Sequence, residues 1–191
     1  MKVIHTYVDN QAIIWKELLY VQYLSAILAK KHYGNISFYG DSKVCQQLKI
    51  LGLPYDEIND KLYFVDLPGY GYAKASKQII KEIKLIHESY FKTRKQLLFT
   101  FLLIDIRHDL QKVDLEFMKY LNSMMCPFVI VFTKSDKIKS DLVSEKIKLY
   151  KDSLLSYWED LPDTFVTSAW NSKGVDEILE FVNQSIKKYT I

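Results

Sequence analysis

The sequence predicts an α/β fold, a mostly parallel sheet covered by helices on both faces in three layers. Two observations carry that expectation. Compact apolar runs rich in aromatic and β-branched residues occur at Leu62–Val65, Leu98–Ile104, Phe128–Phe132 and Phe165–Thr167, and runs without polar alternation suit strands buried on both faces. Between them lie stretches whose apolar residues recur at intervals of three and four, the spacing of one helix stripe.

Taken in order, Val3–Val8 reads as a first strand, followed by a helix over about 15–31, a strand at Ile36–Tyr39 and a helix at Lys43–Leu51. After the strand Leu62–Val65, a helix is expected with Ile79, Ile83, Ile86 and Tyr90 on one face. Val113, Phe117 and Leu121 mark a shorter helix after Leu98–Ile104. Val143, Ile147, Tyr150, Leu154 and Tyr157 mark one after Phe128–Phe132, and Val175, Ile178, Leu179, Val182 and Ile186 mark the last.

At 191 residues with 49% apolar side chains the chain suits one compact domain. Cys45 and Cys126 have no Cys or His at metal-ligand spacing, so two reduced, buried thiols are expected. No run approaches the ~18 apolar residues of a membrane span, and Met1-Lys2-Val3-Ile4-His5 lacks the pattern of a signal peptide. The expectation is a cytoplasmic monomer with no membrane partner. Net charge is +3, and Lys74–Lys95 holds seven basic residues against Glu82 and Glu88. That stretch is either a solvated helix face or a surface that meets phosphates.

Three short motifs follow three strands. Asp66-Leu67-Pro68-Gly69 closes Leu62–Val65, and an Asp at a strand end with Gly three residues on can hold a hydrated Mg²⁺ while the Gly N–H approaches a γ-phosphate. Thr133-Lys134-Ser135-Asp136 follows Phe128–Phe132. There the Asp136 carboxylate can accept from N1–H and the exocyclic amine of guanine, a pair adenine lacks, while the Lys134 stem lies across the base. Thr167-Ser168-Ala169 follows the last strand and offers the Ala169 N–H to the guanine O6 acceptor. Singly each motif is a common turn. Their order, with starts 67 and then 34 residues apart, places all three on the ligand-binding edge of one parallel sheet.

With Tyr70-Gly71-Tyr72-Ala73-Lys74, Leu103-Ile104-Asp105-Ile106-Arg107-His108, Gln111-Lys112 and Asp114, these motifs make residues 58–191 resemble the EngB (YihA/YsxC) family of small bacterial GTP-binding proteins. The resemblance implies a P-loop-GTPase-like fold, GTP or GDP with Mg²⁺ as cofactor, and a role in assembling the large ribosomal subunit, with that subunit or its rRNA as partner. It also implies a nucleotide site made of Asp66, Leu67, Pro68, Gly69, Thr133, Lys134, Asp136, Thr167, Ser168 and Ala169, with Asp66 meeting Mg²⁺ through water. No catalytic residue is identified. Tyr70 stands where many GTPases place a water-positioning glutamine, so slow hydrolysis is expected.

One half of such a site is missing from the sequence. A GTPase strand should open into G-x-x-x-x-G-K-[ST], whose backbone N–H groups wrap the phosphates and whose hydroxyl ligates Mg²⁺. The glycines are Gly34, Gly40, Gly52, Gly69, Gly71 and Gly174, and the nearest approach, Gly34 to Gly40, is followed by Asp41-Ser42 where Lys is needed. No threonine lies between Thr6 and Thr93 to serve as a switch residue. Losing three or four charge-assisted phosphate contacts removes on the order of 5–10 kcal/mol, about four or more decades in dissociation constant. Nucleotide binding is expected to be weak or lost.

Residues 1–60, through Met1-Lys2-Val3-Ile4-His5-Thr6-Tyr7, Trp15-Lys16-Glu17-Leu18-Leu19-Tyr20 and Gly52-Leu53-Pro54-Tyr55-Asp56, more loosely resemble the first βαβα unit of glycosyltransferase-like proteins, without a D-x-D metal motif. The expected organisation is a 1–60 segment of different origin replacing the P-loop unit, a seam at Ile58-Asn59-Asp60, and a 61–191 G-domain portion. Two alternatives stand beside it, a nucleotide-independent rRNA-binding module and a truncated glycosyltransferase-like protein.

Overall fold

The computed structural model describes residues 2–8, 55–58, 62–67, 70, 76–93 and 97–188. The helices expected at 15–31 and 43–51, the strand at 36–39, Cys45, the end of the proposed seam at 59–60, Pro68, Gly69 and residues 71–74 lie outside these residues. The chain forms two compact units, 1–100 and 101–191.

In the first unit, strands β1 (Lys2–Val8), β2 (Tyr55–Ile58) and β3 (Leu62–Asp66) lie in the order β2-β3-β1. β1 runs parallel to β3, from Lys2 opposite Leu62 to Thr6 opposite Asp66, as expected of a crossover-linked pair. β2 was not expected from the sequence. It pairs antiparallel with β3, Tyr55 opposite Val65 and Ile58 opposite Leu62, which a three-residue connection permits.

Helix α1 (Lys77–Thr93) follows. Its buried stripe begins later than the sequence suggested: Ile79 is 47% exposed, Ile83 and Ile86 are half-buried, and Tyr90, His87 and Phe91 are buried. The first turn therefore stands clear of the packing that holds the last two, where the Tyr90 and Phe91 rings meet edge to face at 5.7 Å.

β4 (Leu97–Asp105) carries the chain into the second unit and is buried at every residue after Leu97, which explains its unbroken apolar run. Beyond it come α2 (Lys112–Ser123), β5 (Phe128–Thr133), a 3₁₀ turn at Ser135–Lys137, α3 (Ser140–Leu155), β6 (Thr164–Val166) and α4 (Val175–Lys188). The strand order is β4-β5-β6, with β5 and β6 parallel and Phe132 opposite Val166.

Aromatic contacts fix the helices on this sheet. Phe132 of β5 meets Tyr150 of α3 edge-on at 5.1 Å, and Phe165 of β6 meets Phe181 of α4 at 5.2 Å. In α3 the expected stripe holds at Val143, Tyr150 and Leu154 but stops before Tyr157, which is 51% exposed. The helix ends at Leu155, where the Tyr157 N–H turns back to the Leu154 carbonyl at 2.8 Å. Cys126 is a free, buried thiol, and burial pushes its pKa up to about 11. Thr167, expected as the last residue of β6, lies one position past it.

Gly174, just before α4, has φ +77°, and an added Cβ there would collide with the Val166 carbonyl oxygen. Gly174→Ala is therefore expected to destabilise the second unit by roughly 2–4 kcal/mol. Urea unfolding measures it, and an unchanged midpoint would show that the loop relaxes freely.

Candidate functional site

The second unit brings two of the three motifs together through backbone hydrogen bonds that continue past the ends of β5 and β6. The Thr167 N–H donates to the Phe132 carbonyl at 2.7 Å and the Ser135 N–H to the Thr167 carbonyl at 3.1 Å. The buried Thr167 hydroxyl donates to the Phe132 carbonyl at 3.2 Å, and the Thr133 hydroxyl donates to the Ile104 carbonyl at 3.2 Å. These two threonines hold backbone in place. A hydroxyl on a β-branched residue at a buried strand end suits that task.

Lys134 adopts the left-handed conformation, φ 60° and ψ 31°, which sharply redirects the chain into the 3₁₀ turn. That turn presents Asp136 to Ser168, whose hydroxyl donates to Asp136 Oδ1 at 2.7 Å. Lys137 Nζ lies 3.2 Å from Asp136 Oδ2. Burial opposes ionisation of this carboxyl, but the Ser168 hydroxyl and Lys137 outweigh it and hold the Asp136 pKa below its ordinary value. Each carboxylate oxygen has two lone-pair directions, so Asp136 keeps accepting capacity after both contacts.

After Ser168 the chain makes a tight, closed loop. The Ser168 N–H donates to the Lys173 carbonyl at 3.2 Å, the Trp170 N–H donates to the Ser168 hydroxyl oxygen at 3.2 Å, and Ser172 and Gly174 take positive φ. Ala169 is exposed in this loop. Trp170 beside it is 84% exposed, with Lys137 Nζ 6.0 Å from its ring centre.

A further residue, absent from the sequence-derived site, completes the cluster. Asp105 closes β4 and is 5% exposed. Its carboxylate receives the Arg107 backbone N–H at 3.1 Å and the guanidinium through Nε at 2.9 Å and Nη2 at 2.6 Å, and lies 3.0 Å from Lys134 Nζ. Burial raises the carboxyl pKa, yet Arg107 and then Lys134 together hold it well below the usual carboxylate range. The only sequence signal for this pair was an Asp at a strand end two residues before Arg. In the first unit, Asp66 closes β3 and Leu67 is buried; Pro68 and Gly69 lie outside the described residues. No cluster of three or more His, Cys, Asp or Glu that could hold a metal occurs among the described residues.

No family model matches the chain. It is 46% identical over 136 residues to a probable GTP-binding protein EngB from Flavobacterium psychrophilum, covering 69% of this chain and 66% of that protein. To the corresponding protein of Christiangramia forsetii it is 43% identical over 125 residues, covering 65% and 63%. The chain thus spans slightly less than two thirds of the length of these relatives.

Among solved structures, a probable GTP-binding protein EngB matches at TM-score 0.63 and 15% identity, over 97% of this chain and 99% of that one. Elongation factor SelB from Methanococcus maripaludis, in complex with the GTP analogue GppNHp, matches at TM-score 0.62 and 14% identity, over 100% of this chain and 34% of that one. Era, in complex with MgGDPNP and nucleotides 1506–1542 of 16S ribosomal RNA, matches at TM-score 0.59 and 15% identity, over 96% and 56%.

An Asp105 pKa lowered from its ordinary 3.8 means that the folded chain binds fewer protons than the unfolded chain in acid, so its stabilising contribution is complete above about pH 5 and is lost as pH falls below about 4. Urea unfolding of wild type should weaken across that window, and Asp105→Asn should show a shallower decline. Parallel slopes would contradict the ion-pair geometry. With an α/β fold of parallel strands and helices shared with P-loop GTPases, and close sequence identity over most of its length, the chain is a homologue of the EngB GTP-binding proteins.

Proposed function

We propose that the chain is a guanine-nucleotide-binding protein of the EngB type that keeps the base-selecting half of the site and lacks the phosphate-binding half. The hydrogen bond from Ser168 to Asp136, 2.7 Å long across 32 residues of sequence, carries this reading, because it fixes a carboxylate beside the Ser168–Ala169 backbone. In the reading, Asp136 accepts from N1–H and the amine of guanine, the Ala169 N–H meets O6, and the Lys134 stem covers the base. Thr133 and Thr167 support the turns.

The phosphates fit less well. Asp66 would meet Mg²⁺ through water, but the residues after β1, Asp9-Asn10-Gln11-Ala12, offer no glycine loop, no lysine and no metal-binding hydroxyl. The donor set for the ion is incomplete. GTP hydrolysis is accordingly impaired in the proposal, with Asp66, Leu67, Pro68 and Gly69 as remnants of the phosphate edge.

A separate origin for residues 1–60 belongs to the same proposal, and its support is the absence from them of a G-x-x-x-x-G-K-[ST] loop. The family resemblance implies a cytoplasmic role in large-subunit assembly, and the proposal includes it. A second reading, nucleotide-independent binding of rRNA, draws on Lys77, Lys81, Lys84 and Lys92. All four are exposed at intervals of three, four or eight along α1.

Titration calorimetry decides the first reading. Millimolar-range binding of GDP over ADP is expected for wild type. Asp136→Asn should lose guanine and gain xanthine, which carries a carbonyl where guanine has its amine. Equal heats for GDP and ADP would sink the proposal. For the second, ribosome association should fall steeply with salt and ignore added nucleotide; a nucleotide-dependent response would count against it.

A further inference from the structure

We infer that Asp105 is a positioning residue for the base site, fixing the Lys134 side chain across the place where a guanine ring would lie. The inference rests on the proposed guanine site and adds to it a residue from a third strand.

Lys134 leaves β5 with positive φ, a conformation that non-glycine residues rarely hold without support. A lysine stem has four rotatable bonds and loses its conformational freedom when it covers a ring. Something must hold its far end. Asp105 does so: its carboxylate is 6% exposed and lies 3.0 Å from Lys134 Nζ. Arg107 grips the same carboxylate by backbone and guanidinium, at 3.1, 2.9 and 2.6 Å, so the anchor is itself rigid.

The strand ends set the reach. The Ile106 N–H donates to the Thr133 carbonyl at 3.2 Å, so Asp105 and Lys134 flank one backbone hydrogen bond between neighbouring strands. Asp136 is held separately, by Ser168 and Lys137. The two carboxylates therefore divide the work: Asp136 faces the edge of the base and sets its identity, while Asp105 holds the cation whose stem covers its face. Losing Asp105 should weaken purine binding without changing which purine is preferred.

The test uses the full chain with GMP and IMP, which differ by the exocyclic amine and demand little of a phosphate loop. Asp105→Asn should weaken both ligands by the same factor, about tenfold, and leave their ratio unchanged. In a Lys134→Met background the same change should cost nothing further. Asp136→Ala should instead collapse the GMP-to-IMP ratio.

A readout without ligand runs beside it. The Lys134 ammonium of wild type should give a protected ¹⁵N signal, and Asp105→Asn should abolish that protection while melting remains cooperative. An unchanged ammonium signal, a changed GMP-to-IMP ratio, or an undiminished loss in the Lys134→Met background would each overturn the inference. Failure of wild type to bind either ligand, with the ammonium response intact, would overturn the guanine reading and the positioning role with it, and leave Asp105 as a structural anchor.

Discussion

The second unit depends on the β5–β6 pairing not stopping where the strands stop. Thr167 donates its N–H to Phe132 and accepts from Ser135, and so carries the parallel ladder into both turns. That register decides everything downstream. A slip of one residue would turn Ser168 to the opposite face of the chain and remove the hydroxyl from Asp136. Phe132 against Tyr150 and Phe165 against Phe181 reinforce the register from the helix side, since each strand's aromatic ring is already committed to one helix.

Electrostatics then uses this frame in two different ways. Asp105 is buried and ion-paired to two cations; truncating either partner of such a group leaves an uncompensated charge, whose penalty exceeds what the pair contributes over an apolar replacement. Asp136 is more open, and its contacts to Ser168 and Lys137 leave it able to accept further hydrogen bonds. A carboxylate kept ionised yet incompletely satisfied is suited to reading donors on a ligand. One kept ionised and fully enclosed is suited to holding its neighbours still.

Much of this was legible in the sequence, because buried strands and amphipathic helices announce themselves by period. β4, β5 and the four described helices lie where their apolar runs and stripes put them. β2 was not legible: Tyr55-Asp56-Glu57-Ile58 is short and carries two acids, which β-propensity disfavours. Tyr157 and Ile79 kept the helical spacing but not the burial, since period alone does not say where a helix ends or where its packing begins. At the site, Asp136, Ser168 and Lys134 were readable as motif residues. Asp105 was readable in the Leu103–His108 run but without a role at the site, because its partner Lys134 is 29 positions away and only the β4–β5 register joins them.

The first unit separates fold from chemistry. β1 lies parallel to β3 with Thr6 opposite Asp66, so β1 ends at Val8, two residues past that partner, beside the strand that carries the Asp66 motif. A phosphate-binding loop belongs after such a strand. Sheet pairing asks only for extended backbone and an apolar pattern, which Lys2-Val3-Ile4-His5-Thr6-Tyr7-Val8 supplies; phosphate binding asks for a run of convergent N–H donors and a lysine, which Asp9-Asn10-Gln11 does not. A strand can therefore satisfy the sheet while the residues after it leave a phosphate unserved. The proposed base selection, by residues of the second unit, imposes no such demand on β1. In the proposed reading, selectivity and affinity for the nucleotide are consequently set by different segments of the chain, and the replacement of one reduces affinity without altering which base is chosen.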